Sequence, residues 1–343
     1  MEDSKEFVLK ATEVQAAGNL DDARSWYMKA AEAGNSNAMF KLGLLSGAAE
    51  DLDGERSWFI QAAEAGNSGA MFNLGLLSGE AGDLDGERSW FIQAAEAGDS
   101  NAMFKLGLLS GEAGDLDGER SWFIQAAEAG DSNAMFNLGL LSKAAGDLDE
   151  ARSWFIQAAE AGDSDAMFNL GLLSEEAGDL DEARSWFIQA AEAGNSGAMF
   201  KLGLLSEEAG DLDGERSWYM KAAEAGNSGA MFNLGVLSKE AEDLDGERSW
   251  FIQAAEAGNS GAMFNLGLLS KAAGDLDEER SWYTKAAEAG NSDAMYLLGL
   301  LSEVAGDLDE ARSWYTKAAE AGDSDAMFNL GLLSEAAGDS DNA

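Results

Sequence analysis

The sequence contains no histidine, no cysteine and no proline. Without histidine or cysteine there is no Ser-His-Asp triad, no Cys-His dyad, no zinc site built on imidazole or thiolate, and no disulfide. Basic residues are scarce: 22 lysines and arginines stand against 64 acidic residues, a formal charge of −42. A field of that sign repels phosphate backbones, so nucleic acid is not an expected partner. Long apolar runs are missing too. No stretch approaches the ~20 residues of a membrane helix, and the N-terminal MEDSKEFVLKATEVQAAG lacks the basic start and apolar run of a secretory signal. A cytoplasmic chain with no membrane partner is the expectation. What is present is enough apolar material for a core: 46% of residues are hydrophobic, which argues against disorder.

That material is arranged periodically. The tryptophans fall at 26, 58, 90, 122, 154, 186, 218, 250, 282 and 314, always 32 residues apart. A Leu-Gly pair keeps step, with glycine at 43, 75, 107 and onward to 331. A period between 20 and 50 residues signals a solenoid or an array. Starting each unit at Ser4, Ser36, Ser68 and so on gives ten units over 4–323 and a half unit over 324–343.

Each unit predicts two helices. In the second unit Met39, Leu42 and Leu45, with Phe40 and Leu44, follow i, i+3, i+4 spacing from Ala38 to about Ala49. Trp58, Phe59, Ile60, Ala62 and Ala63 mark a second helix from Leu52 to about Ala65. Gly34 and Gly66 stand where a left-handed cap is wanted, followed by Asn or Asp and then Ser as N-cap candidates. Asp147 and Glu150 have capping-box spacing. The links are short, so neighbouring helices run antiparallel. Hairpins this small bury their apolar faces only by stacking, and the ends must differ. The first helix, Ser4 to Ala17, departs from the motif, and the tail Gly338 to Ala343 is polar; both read as caps.

The motif A-M-F-N-L-G-L-L-S-x-x-A-G-D-L-D-E-A-R-S-W-F-I-Q-A-A-E resembles the tetratricopeptide repeat. The run Trp218-Tyr219-Met220-Lys221-Ala222-Ala223-Glu224-Ala225-Gly226-Asn227 is similar to the SEL-one-like variant of that repeat. The resemblance covers the whole chain. It implies an all-α, right-handed superhelical solenoid of helical hairpins, a non-enzymatic scaffold whose first helices line a concave groove for a peptide or protein, with no cofactor. The 32-residue period departs from the family's 34, and the closing proline is missing. A small residue of the family stands at Ala23, Ala151, Ala183 and Ala311, but six units carry Glu55, Glu87, Glu119, Glu215, Glu247 and Glu279 there. Burying unpartnered carboxylates is costly, so these are expected to tilt outward or pair with neighbours such as Arg56 or Arg88.

Candidate sites follow from where the units differ. The sixth position reads Lys41, Asn73, Lys105, Asn137, Asn169, Lys201, Asn233, Asn265, Leu297 and Asn329. It shares a helix face with the second, ninth and thirteenth positions, which by family analogy is the groove. Two readings of the asparagines stand side by side: a ladder that grips peptide backbone, or ordinary polar residues. The Phe40, Phe72, Phe104 row reads first as core. The tryptophans read as packing between hairpins, and the arginine two residues before each as a surface ion-pair partner. The Asp-Leu-Asp segments read as caps, not calcium loops or any metal site, and Gly66-Asn67-Ser68-Gly69 as a linker, not a nucleophile. A basic partner is expected from the charge. Two alternatives to the scaffold are an engineered or recently amplified array without an evolved ligand, and a self-stacking structural array.

Overall fold

The computed structural model describes residues 2–340, with side chains from Ser4 to Glu335. Twenty-one α-helices and no strand occur among the described residues, from Glu2–Ala16 to Ser324–Ser340. First helices such as Ser36–Ala48 alternate with second helices such as Leu52–Glu64. The final helix runs through Gly338, where a tail was expected; the last three residues of that tail, 341–343, lie outside the described residues.

The three-residue links rest on one side chain doing two jobs. Gly34 adopts φ +82°, and its N–H bonds to Ala31 O at 2.8 Å while Asn35 N–H bonds to Ala30 O at 3.1 Å. These two bonds close the outgoing helix in a Schellman motif. The Asn35 side chain then accepts from Ala38 N–H at 3.0 Å and opens the next helix. Asp51 repeats the device: its N–H donates to Ser46 O and its carboxylate accepts from Gly54 N–H. Asn or Asp is therefore the cap, and the serine after it is the first helical residue.

This economy undoes the capping box expected at Asp147 and Glu150. Asp147 accepts from Glu150 N–H at 3.0 Å, but its own N–H is committed to Ser142 O. The Glu150 carboxylate turns instead to the Ser142 hydroxyl at 3.0 Å and to the Arg120 guanidinium of the preceding repeat. Arg248–Glu278 at 2.6 Å and Arg280–Glu310 at 2.7 Å are the same clasp, thirty residues apart in sequence. The arginine before each tryptophan is thus an ion-pair partner across repeats where the glutamate is present.

The described chain falls into two compact units, Met1–Leu173 and Ser174–Ala343. Within each, a helix packs on its hairpin partner and on the first helix of the next hairpin. The core repeats: Phe59, Ala62, Ala63, Ala70 and Leu74 are buried together, with Met39, Phe40 and Trp90 packed around them. Trp90 belongs to the following hairpin, so the tryptophans do pack between hairpins. The Phe40 row is half-buried and tilted against the buried ring row; the Phe40–Phe59 centroids are 5.6 Å apart. Gly43 exists for that ring, since a Cβ there would stand 2.5 Å from Phe59 Cδ1.

Candidate polypeptide-binding face and an acidic cleft

The sixth-position side chains lie on the first helices, and all six asparagines are half-buried. Their amides are largely turned onto their own helices. Asn73 Nδ2 donates to Gly69 O at 2.7 Å, Asn137 to Asn133 O at 2.8 Å, Asn169 to Asp165 O at 2.9 Å and Asn265 to Gly261 O at 2.8 Å. Each keeps a second N–H and the carbonyl oxygen. Asn233 and Asn329 instead reach tyrosine hydroxyls, Asn233 that of Tyr219 and Asn329 that of Tyr296 at 3.4 Å. Lys41 is exposed, Lys105 half-buried, and Lys201 is paired with Glu175 at 3.0 Å. The ninth-position leucines beside them are half-exposed, Leu44, Leu140 and Leu268 among them.

The six glutamates correct the expectation of outward tilt. Glu215, Glu247 and Glu279 are 4%, 2% and 1% exposed, and Glu55, Glu87 and Glu119 are half-buried. They follow the same inward path as Ala23 and Ala151, because the helix register points that position at the first helix of its own hairpin. Glycine makes the room in the early repeats: a Cβ on Gly47 would stand 2.5 Å from Glu55 Oε1. Neighbouring arginines are not their partners. Lys271 Nζ lies 3.8 Å from Glu279 Oε1, which otherwise finds no hydrogen bond.

Position 12 of each unit sets what faces these groups. A glutamate or glutamine there accepts from the core tyrosine: Tyr27 donates to Gln15 at 2.9 Å, Tyr219 to Glu207 at 3.2 Å and Tyr315 to Glu303 at 2.8 Å. Where Lys271 replaces it, the buried Tyr283 hydroxyl is left without a partner. Burial pushes the Tyr219 and Tyr283 hydroxyls up to about 12. Glu215 is raised above the ordinary carboxylate value by burial and then by Glu207 and Glu240. These three carboxylates line one cleft with Leu204, Leu212 and Asn233. Of this cleft the sequence had singled out Asn233 as a groove residue and Glu215 as a carboxylate expected to tilt outward or pair with an arginine. The usable signal was Gly214-Glu215 standing where other units have Glu-Ala, a swap that moves the carboxylate inward.

Among the described residues no group of three or more carboxylates is disposed to hold a metal ion. The Asp-Leu-Asp segments cap helices, as Asp83 does for Gly86 N–H. Asn67 likewise caps a helix that begins at Ser68. No described helix is long and apolar enough to cross a membrane.

Compared with known proteins, the tetratricopeptide repeat model matches residues 136–198 and 289–326. The Sel1 repeat model matches 15–35, 36–67, 68–99, 100–131, 248–259 and 280–291. Its boundaries at 36, 68 and 100 coincide with the serines that start the units. No curated protein matches in sequence. Among solved structures, c5321, a protective antigen of uropathogenic Escherichia coli strains displaying an SLR fold, is 25% identical, with 97% of this chain and 80% of that one covered and a TM-score of 0.63. A Sel1 repeat protein from Oxalobacter formigenes is 24% identical over 81% of this chain and 89% of that one, also with a TM-score of 0.63. Repeat sequence, register and hairpin fold agree, and the chain belongs to the tetratricopeptide repeat superfamily, as an α-solenoid of Sel1-like repeats with a 32-residue period.

Proposed function

We propose that the chain is a non-enzymatic scaffold that binds an extended polypeptide segment along the face of its first helices. Repeats of this family in general serve protein interaction. The observation that carries the finer reading is the sixth-position row. It combines half-buried amides, three lysines of differing exposure and half-exposed ninth-position leucines on one helix face, a mixture suited to main-chain hydrogen bonds beside apolar contact. Packed helices lie ~8–10 Å apart and an extended chain rises ~3.3 Å per residue, so about every third peptide residue would meet a sixth-position side chain. In this reading the ten units and the final half unit act as one array, Asn73, Asn137, Asn169, Asn233, Asn265 and Asn329 hold backbone, and Lys41, Lys105 and Lys201 select acidic groups. Lys201 would have to exchange its Glu175 partner to do so.

The test is to pan a random-peptide display library against the full chain and measure the winners by titration calorimetry. Changing Asn73, Asn137 and Asn169 together to alanine should weaken a selected peptide by about tenfold, from three bonds of ~0.5–1.5 kcal/mol each, while helicity holds. Unchanged affinity in the folded triple variant would overturn the ladder. Failure of any peptide to bind would favour an array without a ligand. Self-stacking would show as sedimentation that depends on concentration.

A further inference from the structure

The cleft in the second compact unit lies between the helices Ser196–Glu208, Leu212–Glu224 and Ser228–Glu240. Its volume is about 460 Å³. The exposed Glu207 and Glu240 stand at its rim and Glu215, 4% exposed, at its floor. Its remaining walls are Leu204, Leu212, Val236, Leu237 and the Asn233 amide, so no cation lines it. Burial first, and then Glu207 and Glu240, raise the proton affinity of Glu215, and no hydrogen bond or cation offsets them. A carboxylate so deeply buried without a counter-charge is costly. It is an unpartnered polar group presented to a cavity.

The chain itself shows what fits. Two repeats further on, the same glutamate position is Glu279, and there position 12 is Lys271, whose ammonium lies 3.8 Å from the carboxylate. Position 12 is also a lysine, Lys239, in the repeat of Glu247. Only in the repeat of Glu215 does a buried glutamate of this set face a third carboxylate, Glu207, across an open cleft.

The geometry points to this cleft as a socket for one lysine side chain of a bound polypeptide, its ammonium among Glu207, Glu215 and Glu240 and its methylene stem on Leu204, Leu212 and Val236. The assignment rests on the reading of the first-helix face as a docking surface, to which Asn233 belongs. A lysine head brings three donors on a flexible apolar stem that packs along leucine while the charge is held elsewhere. Guanidinium is planar and forked and suits paired, coplanar acceptors, which a floor and two rims do not supply. A bare divalent ion wants closely grouped oxygens, and no such group is found among the described residues.

Valine supplies the probe. The chain has valine at only four places, Val8, Val14, Val236 and Val304, and Val236 alone lines the cleft. The full chain, labelled with 13C at valine methyls, is titrated with the peptide acetyl-Ala-Ala-Ala-Lys-Ala-Ala-Ala-amide and with its norleucine and Nε-acetyl-lysine counterparts. The lysine peptide should move the Val236 methyls to saturation and leave Val8 and Val304 in place, while the two neutral peptides should not move Val236. Glu215→Gln should weaken the effect about tenfold, the loss of one charged bond. Glu207→Lys, which copies the arrangement of Lys271, should abolish it by filling the socket from within. Hydrogen exchange of the amides over 196–240 reports that each variant is folded around the cleft, since a long array need not unfold as one unit.

Equal shifts with norleucine, an unaffected Glu215→Gln variant, or the same shift produced by millimolar magnesium or calcium chloride would each overturn the lysine socket. A silent Val236 would overturn it too. The display-selected peptides separate that failure from failure of the scaffold: if they still bind in a manner sensitive to Asn73, Asn137 and Asn169, the docking face stands and the socket alone is wrong.

Discussion

Alanine in place of glycine should have opposite effects at two equivalent positions of the repeat. At Gly139 a Cβ would stand 2.5 Å from both Cδ1 and Cε1 of Phe155 and 2.9 Å from Cζ. Phe155 is fully buried and cannot swing away, because Phe136 lies tilted against it with centroids 5.8 Å apart. Overpacking of this kind costs ~1–3 kcal/mol, and the gain in helix propensity from Gly to Ala returns only ~1 kcal/mol. Gly139→Ala should therefore be destabilising, by up to about 2 kcal/mol. At Gly331, in the final described helix, a Cβ meets nothing within 4 Å. Gly331→Ala should keep the propensity gain and stabilise the last helix by up to ~1 kcal/mol. A long repeat array need not unfold in two states, so the assay is native-state hydrogen exchange. Amides of Ser132–Glu160 should exchange faster in Gly139→Ala, by up to about 30-fold, and those of 324–335 slower in Gly331→Ala. Exchange at 132–160 that is unchanged or slower would refute the steric argument. Equal destabilisation at both sites would mean that glycine serves the helix backbone and not the ring.

Three further outcomes follow from the same structure. Tyr283→Phe should stabilise by about 1 kcal/mol, since it removes a buried hydroxyl that has no partner, whereas Tyr315→Phe, which breaks the bond to Glu303, should destabilise by a similar amount; thermal melts of the pair decide it. Glu50 and Glu242 occupy the left-handed cap at φ 59° and 57°, where the other links have glycine, so Glu50→Gly should raise the unfolding midpoint, by about 1 kcal/mol of relieved strain. Acid titration should separate two kinds of glutamate. Arg280 first and Ser302 next hold Glu310 below the ordinary carboxylate value, so its contribution is present above the unfolded value and lost as pH falls through the folded one. Glu310→Gln should thus lower stability near pH 7, by no more than about 1 kcal/mol for a pair this exposed, and have a smaller effect near pH 3. Burial and Glu80 raise Glu55, so its protonated form favours the fold, and that contribution is lost as pH rises through the raised value. Glu55→Gln should therefore gain stability near pH 7 and gain nothing near pH 3. Guanidinium titrations at both pH values test the two signs.

Hairpins, links and stacking were legible along the chain because each rests on chemistry within a few residues. Apolar spacing marks the helices, Gly34 takes a left-handed φ whatever surrounds it, and Asn35 closes one helix and opens the next through bonds no more than five residues away. The serine after it looked equally able to cap, and only the backbone conformation showed that the helix had already begun there. The capping box at Asp147 failed because the Asp147 N–H already closes the outgoing helix on Ser142, and the Glu150 carboxylate turns to the Ser142 hydroxyl and to Arg120 of the preceding repeat, which lies outside its own sequence window. The inward path of Glu215 was hidden in the same way. A glutamate beside an arginine on a helix reads as surface chemistry. Its direction is set by the first helix that packs over it, and its environment by position 12 of that helix, which is glycine, lysine or glutamate from one repeat to the next. Local bonds thus specify each hairpin, while the charge state and partners of its buried side chains depend on residues that tertiary packing brings together from eight to thirty positions away.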